Sequence, residues 1–287
     1  MLIILILSVF AQEAWPAAPE LLLSSSDGGW RDPVYSADGQ FIAFTNSAQN
    51  RIYVLERGQT APRSVARGDS IGRRFAFEPG AERIVFRLRS YALPGKPERL
   101  ISSSIYLYDP VHHTENTAGD LFGPYLIVGR IWYRYSLLGP FFDYDGQIRG
   151  AGPYWDAETG KLNVLNAALD TVFTSGLKQR IAGYEISPDG GWLAAVESRP
   201  ERRVLLIRIE DGTNLSVPLA IAPNWAGNSQ SVICVTDSSL RIVRVPSGES
   251  EVVLSSPRFR PETPALNLDG SRALFVSEGA LYEMTLP

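Results

Sequence analysis

The chain has 287 residues, enough to bury a large hydrophobic core in one domain. Its 27 Lys and Arg and 31 Asp and Glu residues give a formal net charge of −4 and are mixed along the chain, which argues against a nucleic-acid partner. The single cysteine, Cys234, excludes an intrachain disulfide, and its place in an apolar triplet indicates a core residue.

The first ten residues are almost wholly apolar, and Ala11-Gln12-Glu13-Ala14 follows them. An apolar run of this length is typical of a secretory signal peptide and is too short to span a membrane. We expect residues 1–11 to be removed, which leaves Gln12 as the first residue of the mature chain. Because no Lys or Arg precedes the apolar run, a buried amino-terminal strand is the alternative. No cysteine follows the cleavage point, so no lipid anchor is expected, and the sequence predicts a periplasmic or secreted protein.

One short pattern recurs along the chain: a strand, a tight turn rich in Pro, Asp and Gly, and an apolar strand. Its clearest copy spans residues 184–195. Short apolar runs bounded by such turn residues are typical of buried strands joined by hairpins. An apolar triplet begins four residues after each equivalent turn position. These positions are Asp38, Gly80, Asp189, Asn228 and Asp269.

The copies repeat with a period of about 40 residues, apart from one longer gap, and this period with four strands per unit is typical of a β-propeller blade. The sequence therefore predicts an all-β, six-bladed β-propeller with four-stranded antiparallel blades, filling residues 12–287 as one domain. The predicted blades are residues 30–66, 73–118, 122–166, 181–218, 221–254 and 262–287. A seventh blade would require residues 141–149 to hold more than an inserted hairpin. The sixth blade lacks one strand, and residues 20–24 are predicted to supply it and close the ring.

The repeat also resembles a known family. Residues 32–39, followed by Ile42-Ala43-Phe44 and by Ile52-Tyr53-Val54, resemble the WD-like repeat of TolB-type β-propellers. The likeness covers roughly residues 30–287. It implies the propeller fold and a bacterial, periplasmic setting.

Three local patterns suggest chemistry, and each has a structural explanation. Gly68-Asp69-Ser70-Ile71-Gly72 matches a nucleophile elbow, but that motif needs a helix after the serine, and a propeller strand is predicted here. His112 and His113 are the only histidines and are adjacent, so a hydrolytic triad or a histidine-rich zinc site is not expected. Asp143-Tyr144-Asp145-Gly146 resembles half of a calcium loop without its closing ligands. The sequence predicts no catalytic residue, metal site or cofactor.

The repeated carboxylates Asp38, Asp189 and Asp269 could suggest acid–base catalysis. Their regular place in a turn favours a structural role, because Asp side chains accept backbone N–H groups in such turns.

Residues near the innermost strands form the candidate binding surface, since the loops there surround the channel of a propeller. The candidates are Trp30, Arg31, Asp32, Arg73, Arg74, Tyr184, Asn224 and Trp225. Aromatic and arginine side chains offer large contact areas and bidentate hydrogen bonds. The alternative is that the aromatic residues pack between blades while the arginines pair with neighbouring carboxylates.

These observations predict an exported, non-catalytic, monomeric propeller that binds a protein, a peptide or an envelope component. Stable membrane insertion is not expected. The alternative is a propeller enzyme of lyase or lactonase type that uses a metal in its axial channel. An accessory relative of the propeller of prolyl-oligopeptidase-type peptidases is a third reading. The insertions at residues 90–103 and 137–152 would carry binding if they lie over one face.

Overall fold

A computed structural model describes residues 18–25, 28–68, 71, 75–77, 82–91, 100–112, 114–117, 141–142, 148–149, 152–156, 158–166, 170–177, 181–198 and 201–287. For residues 87–91, 100–107, 114–117, 141–142 and 148–149 the description covers the backbone. The 25 secondary-structure elements in these ranges are all β-strands. None of the described residues belongs to a helix long and apolar enough to cross a membrane.

The first half of the chain forms a leading strand and two complete blades. The leading strand is β1 (Glu20–Leu23). The strands of blade 1 are β2 (Trp30–Tyr35), β3 (Phe41–Asn46), β4 (Arg51–Glu56) and β5 (Arg63–Arg67). The strands of blade 2 are β6 (Phe75–Phe77), β7 (Ile84–Tyr91), β8 (Leu100–Asp109) and β9 (Thr114–Thr117). A separate two-stranded sheet follows, with β10 (Phe141–Phe142) and β11 (Ile148–Arg149).

The second half forms the other four blades. The described strands of blade 3 are β12 (Gly152–Asp156), β13 (Lys161–Leu165) and β14 (Thr171–Thr174). The strands of blade 4 are β15 (Ile181–Ile186), β16 (Trp192–Glu197), β17 (Arg203–Arg208) and β18 (Asn214–Pro218). The strands of blade 5 are β19 (Ala220–Trp225), β20 (Ser231–Thr236), β21 (Ser239–Arg244) and β22 (Ser250–Ser255). The strands of blade 6 are β23 (Pro261–Leu266), β24 (Arg272–Ser277) and β25 (Ala280–Thr285), joined by β1.

The six antiparallel sheets of three or four strands confirm the predicted six-bladed β-propeller. Within residues 141–149, the described residues form the antiparallel pair of β10 and β11. Blade 3 differs from its predicted bounds in one respect: β14 pairs with β13, so the blade continues past residue 166. The Thr-rich β14 is largely exposed and therefore lacks the apolar run that marks the other strands. Residues 122–140 of the predicted third blade lie outside the described residues.

The predicted closure of the ring is confirmed. Strand β1 pairs antiparallel with β25, with Leu21 opposite Tyr282 and Leu23 opposite Leu281. Leu23 is buried in the cluster of apolar side chains between blades 6 and 1, which also contains Trp30. Strand β1 thus pairs with the edge of blade 6. This pairing closes the ring, in which the hydrophobic hairpins of neighbouring blades bury one another.

The recurring turn is built by one hydrogen-bonding pattern. In blade 1, Asp38 Oδ1 accepts the hydroxyl of Ser36 at 2.7 Å and the N–H of Gln40 at 2.8 Å. The Ser36 hydroxyl oxygen accepts the N–H of Phe41 at 2.9 Å. The same pattern recurs in blade 4 at Ser187, Asp189, Gly191 and Trp192. The repeated Asp side chains thus have the structural role in the turn that the sequence favours.

The second strands of the blades form much of the core. All six residues of β3 and of β16 are buried, because both faces of these strands pack against neighbouring blades. Cys234 is buried in the cluster between blades 4 and 5, as predicted for a core residue. Burial raises the pKa of its thiol to about 12, which makes it a poor nucleophile in the folded chain.

The closing strand provides a direct test, since it has one buried and one exposed leucine. Leu23 is 6% exposed and Leu21 is 53% exposed. We expect Leu23→Ala to lower the free energy of unfolding by about 2 kcal/mol or more, as for other buried leucines. Leu21→Ala is the matched control and should change it by less than about 0.5 kcal/mol. Urea titration gives both values, and equal effects of the two substitutions would contradict the closure.

Candidate binding site at the channel end

The first strand of each blade is the innermost one. Those of neighbouring blades 1, 6, 5 and 4 lie side by side around the axis, in the order β2, β23, β19 and β15. Residues of these four strands whose side chains face away from the core therefore line the channel or its ends. The sequence places Arg31 and Glu262 at equivalent positions, seven residues before the turn residues Asp38 and Asp269.

A β-bulge interrupts the innermost strand at one equivalent position in blades 1, 5 and 6. The pairing register shifts between Arg31 and Val34, between Ile221 and Asn224, and between Glu262 and Ala265. Within each bulge a residue in the left-handed conformation precedes a proline. These residues are Asp32 (φ 50°), Ala222 (φ 49°) and Thr263 (φ 37°). Proline has no N–H to give to the ladder, so the bulge allows it to stand in an otherwise paired strand.

The bulges of blades 1 and 6 contact each other across the seam of the ring. The Asp32 N–H donates to the Thr263 hydroxyl oxygen at 3.2 Å. The Asp32 carboxylate accepts the side-chain amide of Gln49 at 3.1 Å. Burial raises the pKa of Asp32 above its usual value, against this hydrogen bond and the charge of Arg31. Both backbone segments are therefore held in place by contacts between blades.

Two exposed charges of opposite sign lie directly before these bulges. The guanidinium of Arg31 is 3.8 Å from the carboxylate of Glu262, and the two side chains are 47% and 54% exposed. Arg31, Asp32, Glu262 and Thr263 form the channel-end cluster. Its members come from two blades that are joined only through closure of the ring.

The two candidate tryptophans lie in the core. Trp30 and Trp225 are each 4% exposed. The Trp30 ring meets the rings of Phe44 and Tyr53 edge-on, and its indole N–H donates to the carbonyl oxygen of Ser24 at 2.9 Å. These residues follow the alternative stated from the sequence, in which aromatic side chains pack between blades.

Asn224 connects three blades. Its side-chain oxygen accepts the N–H of Leu266 at 3.0 Å, and its amide nitrogen is 3.5 Å from the Glu185 carboxylate. Tyr184 is half-buried against the cluster of apolar side chains between blades 3 and 4. Of the six candidates that the structure describes, Arg31 and Asp32 are thus the two brought together at the channel end. The remaining two, Arg73 and Arg74, lie outside the described residues.

Glu262 and Thr263 complete the cluster but were not among the sequence candidates. A signal for them exists: Thr263-Pro264 precedes Asp269 by the same interval at which Asp32-Pro33 precedes Asp38. The repeat, applied residue by residue, would have identified both.

Glu185 is a second group that was not predicted from the sequence. Its half-buried side chain lies beside Asn224 of the next blade, and the indole N–H of Trp225 donates to its backbone carbonyl at 3.4 Å. Burial raises the pKa of the Glu185 carboxyl to about 8, against the effect of the Trp225 backbone N–H. The carboxyl group is therefore largely protonated near neutral pH.

The other candidate groups give no assembled reactive centre within the described part of the chain. The His112 ring accompanies Asp109 in an exposed turn, with Nδ1 2.8 Å from the carboxylate. No three His, Cys, Asp or Glu side chains among the described residues are grouped so that they could hold a metal ion. His113, Ser70 and residues 143–146 lie outside the described residues.

Comparison with solved structures gives the same fold. A chain in the crystal structure of the mitotic checkpoint complex, a WD40-type β-propeller, matches with a TM-score of 0.60 and 12% sequence identity. The match covers 100% of this chain and 99% of that one. No protein-family model and no curated protein sequence matches the chain. The chain is therefore a β-propeller by fold, and its function has to be argued from its own residues.

The raised pKa of Glu185 predicts a pH dependence of stability. In the unfolded chain the carboxyl titrates near 4.5, whereas in the folded chain its pKa is about 8. As the pH rises between these values, the unfolded chain releases the proton first, so wild type loses stability. Glu185→Gln cannot release this proton and should therefore gain stability relative to wild type over this range.

Urea titrations of wild type and Glu185→Gln across this pH range measure the effect. Glu262→Gln, which removes an exposed carboxylate, is the control and should follow wild type. Parallel pH profiles of Glu185→Gln and wild type would contradict the prediction.

Proposed function

We propose that this chain is an exported, non-catalytic β-propeller of TolB type that binds a protein or peptide partner at the channel-end cluster. The main support is the ion pair of Arg31 and Glu262, two exposed charges that lie 3.8 Å apart on neighbouring blades. The TolB assignment is supported by the repeat of residues 32–39 together with the propeller fold.

The exposed ion pair can be replaced by ion pairs with a partner. Pairs between solvent-exposed charges contribute about 0–1 kcal/mol to stability, so little is lost when either side chain turns to a charge on a partner. The backbone beneath the pair is fixed, because Asp32 and Thr263 are joined by a hydrogen bond across the seam. A fixed backbone with exchangeable charges lowers the conformational cost of binding.

A macromolecular partner agrees better with this surface than a small apolar ligand. Both signs of charge lie side by side on exposed side chains, and complementary charges of this kind give a protein interface its orientation and speed its association. The structurally similar chain comes from the crystal structure of a complex, which is consistent with a propeller that acts through contacts with partners.

Charge reversal tests the surface. We expect Arg31→Glu and Glu262→Lys each to reduce partner recovery from an envelope extract at least tenfold, because each places two like charges together. The double variant restores an ion pair of opposite polarity and should not restore recovery. Arg244→Glu, an exposed charge reversal on β21, is the control. Recovery at the wild-type level by both single variants would rule out the channel-end cluster as the binding site.

Export has a separate test. The apolar amino-terminal run followed by Ala11 supports removal of residues 1–11. Expression of the full sequence in a Gram-negative host should give a periplasmic protein whose first residue is Gln12, as read by amino-terminal sequencing. Ile6→Asp, which interrupts the apolar run, should retain the uncleaved chain in the cytoplasm. A cytoplasmic wild-type chain that keeps Met1 would contradict export.

A further inference from the structure

A groove of about 530 Å³ lies along the seam between blades 4 and 5. One wall is β18, the outermost strand of blade 4. The other side includes alternate residues of β21 in blade 5, namely Ser239, Arg241 and Val243. The volume falls within the range of known ligand sites, and the groove lies away from the innermost strands that form the channel-end cluster.

The wall formed by β18 has a free backbone edge. Hydrogen bonds flank both ends of the strand. Before it, the carbonyl oxygen of Thr213 accepts the N–H of Arg208. After it, the N–H of Leu219 donates to the carbonyl oxygen of Arg202. Because hydrogen-bonding direction alternates along an antiparallel strand, Leu215 and Val217 also point their backbone groups at β17.

The backbone N–H and C=O of Ser216 therefore point away from the blade. Such an edge can pair with an added strand, and Pro218 limits how far the pairing can continue. This free edge forms the wall of the groove, since Ser216 is one of its lining residues.

One positive and one negative side chain line the groove, Arg241 and Asp237. Arg241 donates to the Ser250 hydroxyl at 3.0 Å, and no carboxylate among the described residues forms an ion pair with it. Asp237 also lines the groove, but it is paired with Arg202 at 2.9 Å. The Nε atom of Arg202 is itself buried without an acceptor among the described residues. An acidic group on a ligand would find Arg241 available.

Leu219, at the end of β18, adds an apolar contact in an unusual conformation. It has a φ of 59° and is 52% exposed where it lines the groove. The equivalent residue of blade 1 is Gly29, which is also left-handed, with a φ of 101°. Glycine would satisfy this backbone without strain, so the fold alone does not call for a leucine. The leucine side chain instead extends the apolar surface of the groove.

We propose that this groove binds an extended peptide segment of a partner, which pairs with the free edge of β18 and places an acidic side chain against Arg241. Side chains of an added strand alternate between its two faces, so every second residue would face β21. This site is independent of the channel-end cluster and does not rest on the function proposed for it.

Selection from a library of random heptapeptides displayed on phage, against the purified chain, tests the proposal. We expect enriched peptides to carry Asp or Glu among β-branched or aromatic residues. Arg241→Gln should weaken their binding at least tenfold, because the positive charge is lost. Ser216→Pro should do the same, because the N–H at the edge is lost. Arg244→Gln removes the same charge from the opposite face of β21 and should leave binding unchanged.

Thermal unfolding of each variant shows whether the blades remain folded, and the Arg241 result decides the matter if Ser216→Pro destabilises the chain. Absence of enriched peptides, enrichment of peptides without acidic residues, or wild-type binding by Arg241→Gln would overturn the proposal. Loss of the enriched peptides on Arg31→Glu would do so as well, because it would place them at the channel end.

Discussion

The antiparallel pairing of β1 with β25 is the interaction on which the rest of the structure depends. It makes the two ends of the described chain parts of one blade and brings blade 6 against blade 1. The junction is reinforced by a largely buried polar group: the Tyr35 hydroxyl donates to the Glu283 carboxylate at 2.9 Å, and Arg57 forms an ion pair with the same carboxylate. Burial and the Glu283 charge raise the pKa of Tyr35, so it stays a neutral donor. The channel-end cluster exists only because this junction is closed.

Closure also explains how the innermost strands keep their irregular backbone. A left-handed residue other than glycine costs of the order of 1–3 kcal/mol, and Asp32, Ala222 and Thr263 all carry this conformation. Packing between blades offsets that cost, because the strands next to them are buried on both faces. The bulges therefore hold Arg31 and Glu262 at a fixed place at the channel end. The ion pair itself remains weak enough to be replaced by ion pairs with a partner.

Much of the fold could be predicted from sequence, because its signals are local. The Ser36–Asp38 turn forms its hydrogen bonds within one short segment, and the apolar triplets mark the buried strands. Both features can therefore be recognised in the sequence repeat. The role of a residue that depends on contacts with another blade could not be predicted in this way. Trp30, a candidate for the binding surface, lies in the cluster of apolar side chains that blades 6 and 1 share. The groove beside β18 was missed for the same reason, since two blades contribute its walls.

Hydrogen exchange measured by mass spectrometry tests the central claim, closure of the ring by the first strand, most directly. If β1 is an integral strand of blade 6, the N–H groups of residues 20–23 that are bonded to β25 should exchange as slowly as those of β25, and both should open together. Rapid exchange of residues 20–23 beside a protected β25 would contradict closure.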